Sequence, residues 1–536
     1  MTSVILGVRC GKFFLPQYAP ETVPSRKNLV STNIAGLLFT SCMNKPMHLT
    51  AEDREFFGLV ARAAFANPFS DARTDVDRQI ADLTGVTERE AQVDVVALRV
   101  FAKIKELDQR GAADLNLHTG DERMALAAAF LFEGFHRWIG PFDDLILKQI
   151  AAGDTSAEVP FAKEAITTLC RRGFPVERAE RYFAMFYQLR RAYYLIDHGL
   201  TGASPCMQKL RERLWSNVFT ADMQLYVLQL WNRMEDFSTL LLGATGTGKG
   251  AAAAALGRAG FIPFDTRKGC FAESFTRGFI ALNLSQFPAT LIESELFGHR
   301  KGAFTGAVEA HEGVFARCSP HGAIFLDEIG DVAEPLQIKL LQILQERTFT
   351  PVGSHERQRF AGRVIAATNR SLDELRRDGK FRDDFYYRLC SDVILVPTLQ
   401  QRIAEHPQEL DLLLKELVGR LTGQSDDALA ARVAKILRKS PGPDYAWPGN
   451  VRELEQAVRR VLLTGHYAAQ AAPATAGTHA RFLAAIESGA LSADEVLAGY
   501  CARLHEQLGS YEEVARRTRL DRRTVRRYIL LHRDKT

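Results

Sequence analysis

Six short stretches carry residues whose types and spacing suit work on phosphates or on a partner. LLLGATGTGKG contains G-x-x-x-x-G-K, as Gly243, Ala244, Thr245, Gly246, Thr247, Gly248 and Lys249, between a β-like run and an Ala-rich helical one. Glycines at this spacing let backbone N–H groups converge on phosphate oxygens, the helix N-terminus favours the anion, and Lys249 can reach the terminal phosphates. By itself the string also suits a glycine turn before a helix. Gly250 stands where a hydroxyl residue usually follows the lysine and serves magnesium, so the metal has to rely on water and an acid elsewhere. GAIFLDEIGD offers that acid. An apolar strand ending in Asp327 and Glu328 can give one carboxylate to the metal shell and the other to orienting or deprotonating a water. Two solvated acids at a strand end are the bland alternative.

RVIAATN ends another strand on Asn369, an amide placed to sense a terminal phosphate or the attacking water, or else a turn residue. GKFRDDFYYRL holds Arg382 and Arg388. Guanidinium groups supplied by a neighbouring subunit can stabilise phosphoryl-transfer charge, and the same pair also suits surface ion pairs. WPGNVRELE sets Arg452 in the first turn of a helix, where it could reach back to a nucleotide. The sixth stretch, ELFGHRKGAFTGA, puts bulky Phe304 among Gly302, Ala303, Thr305, Gly306 and Ala307. Glycine at that density favours a loop. A large apolar side chain there is either a tool for gripping a partner or part of a plain flexible turn.

The elements that must position these residues show in the periodicity. From Thr50 to about Gly199 apolar residues recur at helical intervals, as in AEDREFFGLVARAAFANPF. Around Phe237 the texture changes to short β-rich runs separated by helical segments, the alternation of an α/β domain with a mainly parallel sheet. Helical pattern returns after Pro397 and lasts to about Gly465. YAAQAAPATAGTHA reads as a linker. In the closing segment, Ser510 and Glu513 have capping-box spacing, and Asp521 can cap a last helix carrying Arg522, Arg523, Thr524, Arg526 and Arg527. Two short helices with an arginine-rich second suit major-groove insertion, against the alternative of a solvated basic helix.

Composition is that of a globular protein, 46% hydrophobic and 25% charged over 536 residues, enough for about 3 to 4 domains. A net charge of +4 excludes a polycation, so nucleic-acid affinity has to come from the local arginines at the C-terminal end. The eight cysteines form no C-x-x-C pair and are read as reduced thiols without metal. The absence of a signal-like or membrane-length run predicts a cytoplasmic protein with no membrane association. Tyr182, Phe186 and Tyr193 form an aromatic stripe that favours core packing over a ligand pocket.

GATGTGKG, ESELFGHRKGAFTGA, GAIFLDEIGD, ATN, GKFRDDFYYRL and WPGNVRELE occur in an order that resembles the AAA+ activators of sigma-54 RNA polymerase, the bacterial enhancer-binding proteins. The resemblance runs from about Gly202 to Gly465, and the last segment is similar to the family's Fis-type helix-turn-helix. It implies a multidomain chain: a mainly helical N-terminal regulatory domain (1–200), an α/β AAA+ P-loop ATPase core (201–397) with a helical lid (398–466), a linker (467–490) and a small all-α DNA-binding domain (491–536). By the resemblance, Gly243 to Gly250 look like Walker A and Asp327 with Glu328 like Walker B, Asp327 serving the metal. Asn369 looks like sensor I, Arg382 and Arg388 like trans-acting arginine fingers, Arg452 like sensor II, and Asn283 like the asparagine that pairs with the Walker B glutamate. Gly302 to Ala307 would be the sigma-54 contact loop, touching through Phe304 and Thr305. ATP and Mg2+ are the implied cofactors; the implied partners are sigma-54 RNA polymerase holoenzyme, double-stranded DNA at an enhancer-like site, and the chain itself in a ring, as a hexamer, in a bacterial cytoplasm. Gly250 departs from the family's usual glutamate, and Arg519 stands where the family's turn often has glycine. Two other readings stay open: a DNA-binding regulator whose nucleotide controls oligomerisation without productive hydrolysis, and an AAA+ remodeller of another protein.

Overall fold

The computed structural model describes residues 48–82, 89–442, 445–467 and 491–533, with a few positions between the last two spans. Nearly all of the irregular N-terminal stretch and of the expected linker at 467–490 lies outside the described residues. The chain divides into two compact units, Met1–Gly465 and His466–Thr536.

In the first unit the helical pattern between residues 50 and 199 becomes α1 (Ala51–Phe65), α2 (Asp71–Ala81), α3 (Arg89–Gln109), α4 (Gly120–Arg137), α5 (Ile139–Ala152), α6 (Ala162–Arg171) and α7 (Val176–His198). Local chemistry starts the first two: Thr50 Oγ1 accepts from Asp53 N at 3.1 Å and Ser70 Oγ from Arg73 N at 3.2 Å, caps worth about 1 kcal/mol each. Phe57, Phe130, Phe142 and Phe183 are fully buried in the bundle core. The aromatic stripe of α7 is packing. Tyr182 lies edge-on to Phe174 at 5.4 Å, Phe186 edge-on to Phe135 at 5.9 Å, and Tyr193 stacks on Phe69 at 5.2 Å.

After α8 (Pro205–Phe219) come, among the described residues, nine short strands: β1 (Thr239–Leu242), β2 (Phe264–Asp265), β3 (Cys270–Phe271), β4 (Phe279–Asn283), β5 (Ala323–Asp327), β6 (Thr348–Phe349), β7 (Gln358–Arg359), β8 (Arg363–Thr368) and β9 (Asp392–Leu395). Five form one sheet in the order β4-β5-β8-β1-β9, every pairing parallel. A parallel sheet must be covered on both faces, and side chains alternate between them. Leu240, Ile324 and Val364 accordingly pack with Leu340, Leu344 and Phe385 on one face. Leu241, Phe325 and Ile365 pack on the other with Ala252 and Leu256 of the helix Lys249–Gly257, with Leu210 and Leu214 of α8, and with Ala192 and Ile196 of α7. The step near residue 200 is therefore no break in packing, since α7 and α8 share one core.

Among the described residues, the segment after β9 forms the helices Leu399–Glu405, Glu409–Thr422, Asp427–Lys439 and Asn450–Thr464. The second unit contains Ala493–Leu508, Tyr511–Thr518 and Arg522–Arg533, closed around Cys501, Val514, Val525 and Ile529. Among the described residues no helix is long and apolar enough to cross a membrane.

Candidate functional site

The site collects at the carboxyl ends of β1, β5 and β8, where parallel α/β sheets place their ligands. The loop after β1 is closed by its own side chains. Lys249 Nζ donates to the carbonyls of Gly243 at 2.8 Å and Ala244 at 3.1 Å, and Thr247 Oγ1 donates to Ala244 O at 2.9 Å. Gly246 and Gly248 adopt φ of 79° and 104°, left-handed values that favour glycine. Burial pushes the Lys249 ammonium below its ordinary range, the Glu328 and Asp327 carboxylates pull it back up, and Arg452 lowers it further. The lysine is thus poised between two acids and an arginine.

At the end of β5, Asp327 Oδ1 accepts from Glu328 N at 3.0 Å. Glu328 sits at φ 57°, a strained left-handed conformation for a side-chain-bearing residue. Its Oε2 is buried without a hydrogen-bond partner among the described residues. Burial raises the Glu328 carboxyl above the ordinary range; Asp327 and Asp331 raise it further, while Lys249 and the backbone N–H of Asn369 lower it. Asn369 follows β8, and its Nδ2 donates to Thr245 Oγ1 at 2.8 Å, tying the strand end to the glycine loop. Asn283 lies beside Asp327 in the β4–β5 register. The pairing with Glu328 implied by the resemblance is not the one seen: Asn283 Oδ1 accepts from Ser285 N at 3.0 Å and from Ser285 Oγ at 2.7 Å, because a strand-end asparagine can satisfy its own following turn.

The helix Asn450–Thr464 closes the other side. Val451 N donates to Gly246 O at 3.0 Å, and a Cβ on Gly246 would collide with Gly449 O and Arg452 Cβ, so the first turn of this helix, with the Cβ of Arg452, lies against the loop. Asn450 was not among the residues singled out from sequence. It is buried at φ 52°; its Nδ2 donates to Thr245 O at 3.0 Å and its Oδ1 accepts from Leu399 N at 2.8 Å. One side chain thereby staples the glycine loop to two lid helices. The available signal was the Pro-Gly-Asn run, whose asparagine tolerates a left-handed backbone.

Arg382 immediately precedes the helix Asp383–Leu389 and Arg388 lies in its last turn, and the hydrogen bonds of both go to residues outside the glycine loop. Arg382 pairs with Asp384 at 2.9 Å and Glu334 at 2.9 Å, hydrogen bonds that push its guanidinium pKa upward. Arg388 is exposed, and its Nε donates to Leu344 O at 2.9 Å.

The GAFTGA stretch is a tip on a fixed stem. His299 and His311 exchange backbone hydrogen bonds at 2.9 Å in both directions, and Arg300 N donates to Val352 O at 3.1 Å. Inside the tip Gly302 N donates to Ala307 O at 2.8 Å and Ala307 N to Phe304 O at 3.0 Å. Ala307 is buried, whereas Gly302, Phe304, Thr305 and Gly306 are exposed. Phe304 keeps 37% of its surface in solvent and leans edge-on against the His299 ring at 4.9 Å. Ala303 rests against Gly353 of the β6–β7 connection.

In the second unit Asp521 caps the last helix as expected, accepting from Arg523 N at 2.8 Å and Thr524 N at 3.1 Å. Arg522, Arg523, Arg526 and Arg527 are all exposed on it, with Arg522 also paired to Glu512 at 2.8 Å. The expected capping box at Ser510 and Glu513 is corrected. Ser510 makes no cap bond, Glu513 is taken by Arg516 at 2.5 Å, and the capping box belongs to Ser492 and Glu495 at the head of the preceding helix. Arg519 occupies the turn at φ 55°, the left-handed position that glycine would fill without strain.

Residues 222–394 match the sigma-54 interaction domain. That span includes the glycine loop, both acids, Asn369, the GAFTGA tip, Arg382 and Arg388. The Nif-specific regulatory protein of Azotobacter vinelandii is 36% identical over 270 residues, 50% of this chain and 45% of that protein. The transcriptional regulatory protein ZraR of Salmonella typhimurium is 38% identical over 278 residues, 50% of this chain and 54% of that protein. The chain thus spans about half the length of these relatives. A crystal structure of NtrX from Brucella abortus aligns at 20% identity and a TM-score of 0.37, over 69% of this chain and 80% of that one. Residues 222–394 are thus similar to the sigma-54 interaction domain, and about half of the chain is similar to regulators that include the two named.

Proposed function

We propose that this protein is an ATP-driven transcriptional regulator that remodels the closed sigma-54 RNA polymerase–promoter complex to the open one. The observation that carries the reading is one site combining a glycine loop, a lysine between two acids and a lid arginine, in a chain that also holds out the GAFTGA tip.

Lys249 and the loop amides bind the phosphates, and Arg452 closes over them. The donor set fits a magnesium nucleotide: Asp327 ends β5 beside the lysine, and the orphaned Oε2 of Glu328 is a buried acceptor in need of a proton or a water. Asp327 would hold the ion, which supplies charge neutralisation for the transferred phosphoryl group. Glu328 orients the water and takes its proton, and Asn369 moves with the terminal phosphate while still linked to Thr245. Arg382 and Arg388, which bond to Glu334, Asp384 and Leu344 O rather than to their own glycine loop, act on the site of the next subunit, which requires head-to-tail contacts that close into a ring such as a hexamer. Release of the phosphate then repositions the tip, where Phe304 and Thr305 grip sigma-54. The arginines at 522, 523, 526 and 527, with Thr524, hold the assembly on double-stranded DNA.

The test is open-complex formation on a sigma-54 promoter with purified protein, ATP and sigma-54 polymerase, comparing the parent with Thr305→Ala. The expected result is loss of open complex in the variant with ATP hydrolysis largely kept. Normal activation by the variant refutes the role given to the tip, and hydrolysis without activation by the parent redirects the ATPase to a different remodelling target.

A further inference from the structure

The helix that starts at the glycine loop ends against the N-terminal bundle. Beyond Gly257 the carbonyls of Arg258, Ala259 and Gly260 lie where a helix runs out of internal donors. Helix α7 supplies them. Arg191 Nε donates to Arg258 O at 2.9 Å and Arg191 Nη2 to Gly260 O, while Gln188 Nε2 donates to Ala259 O at 2.9 Å and is itself held by Tyr226 Oη at 2.9 Å. Arg191 is fully buried, its guanidinium 4.7 Å from the Tyr187 ring centre and 5.4 Å from that of Phe275, and burial lowers its pKa. A cation at a helix carboxyl end also complements the helix dipole.

The chain just past the carboxyl end of α7 is tied to the lid. Past His198 the chain reaches Thr201, whose carbonyl accepts from Arg402. Arg402 and Glu409 form an ion pair at 2.6 Å with both side chains buried, and Glu409 accepts from Ala203 N at 2.7 Å and Ser204 N at 3.1 Å. The lid in turn reaches the glycine loop through Asn450 and Val451. One bundle helix is therefore fastened to the α/β core behind the phosphate site and to the lid in front of it. The lid bears directly on the glycine loop at Gly246, and α7 with the segment that follows it touches both core and lid.

We propose that α7 is a positioning element of the nucleotide site: Arg191 sets the phosphate-loop helix from behind, the Arg402–Glu409 pair relays lid position to Thr201–Ser204, and the state of the bundle and nucleotide occupancy are coupled in both directions. The proposal rests on the ATP reading above. Its first test is hydrogen–deuterium exchange of the full chain with and without a non-hydrolysable ATP analogue and magnesium. The expected result is slower exchange in the glycine loop, in Asn450–Thr464, and also in α7 and the β2–β3 hairpin. Protection of loop and lid with α7 unchanged overturns the coupling and leaves the ATP site standing. Protection nowhere overturns the ATP reading and the coupling with it. The second test is Arg191→Lys, which keeps a cation but loses the fork that reaches two carbonyls. Analogue binding should weaken about fivefold or more, with a matching rise in KM for ATP and kcat less affected. Wild-type affinity in a variant of unchanged circular dichroism and Tm refutes the role of Arg191.

Discussion

The molecule has two glycine-rich loops that look alike in sequence and are built oppositely. In the phosphate loop the glycines make room. A Cβ on Gly243 would run into Val396 O, and one on Gly246 into Gly449 O and Arg452 Cβ. In the GAFTGA tip, Gly302 and Gly306 have left-handed φ of 79° and 102°, yet nothing lies within 4 Å of where their Cβ would be. The first loop needs glycine because other backbone passes close by; the second needs it only for the turn of its own chain. A clamped loop suits fixed donors around a reacting phosphate, and an unclamped one suits a surface that must change posture.

The sharpest way to break this contrast is Gly246→Ala. Here a forbidden contact adds to an unfavourable φ, so the lid cannot seat on the loop, and titration with a fluorescent ATP analogue should show binding reduced by two orders of magnitude or more, on the order of 3 kcal/mol. Near-normal binding would mean that the lid approach in this structure is not required for the nucleotide. Next in size is the acid between the clamped elements. In the proposed role of base Glu328 has to be ionised, and its carboxyl lies above the ordinary range because of burial and of Asp327. Hydrolysis should therefore fall as pH drops through that raised value, an acid limb displaced toward neutrality. Asp331→Asn, which removes a charge that raises Glu328, should move the limb to lower pH. A limb unmoved in the pH–rate profile of this variant would take Glu328 out of the base role.

The tip gives a smaller effect of another kind. Gly302→Ala meets no neighbour and carries only the left-handed penalty, about 1–2 kcal/mol. It should lower sigma-54-dependent open-complex yield several-fold with little change in affinity for the ATP analogue. A loss of nucleotide affinity equal to that of Gly246→Ala would erase the distinction between the loops.

What the sequence revealed follows the same division. The phosphate loop, the acids after β5, Asn369 and the capping of the last helix by Asp521 are written in contiguous residues, because each is a local turn or strand end whose chemistry fits in a few positions. The parallel sheet was legible from alternating β-rich and helical runs. What escaped depends on partners distant in the chain. Asn450 matters because Thr245 and Leu399 meet there, and Arg191 because Arg258 and Gly260 do. A buried arginine in α7 reads as an ordinary helix former until the carbonyls beneath it are known. The misplaced capping box shows the limit of spacing alone: Ser510 and Glu513 satisfy the pattern, but Arg516 competes for the glutamate.

The smallest predicted effect concerns the position that departs from the pattern. Gly250 is the second residue of the helix Lys249–Gly257, exposed, with open space around its missing Cβ and no left-handed φ. It therefore belongs to neither kind of glycine found in the two loops, since neither close approach nor backbone turn requires it. Gly250→Ala should stabilise the helix start by up to about 1 kcal/mol, a rise of a few degrees or less in Tm, and leave ATP affinity within a factor of two or so, less than half a kcal/mol. If instead this substitution sharply weakened binding, the helix start would have to move when nucleotide arrives, and glycine would be there to let it. The phosphate loop would then combine clamped glycines on its approach with a free one at its exit, and the contrast with the GAFTGA tip would run through a single helix rather than between two loops.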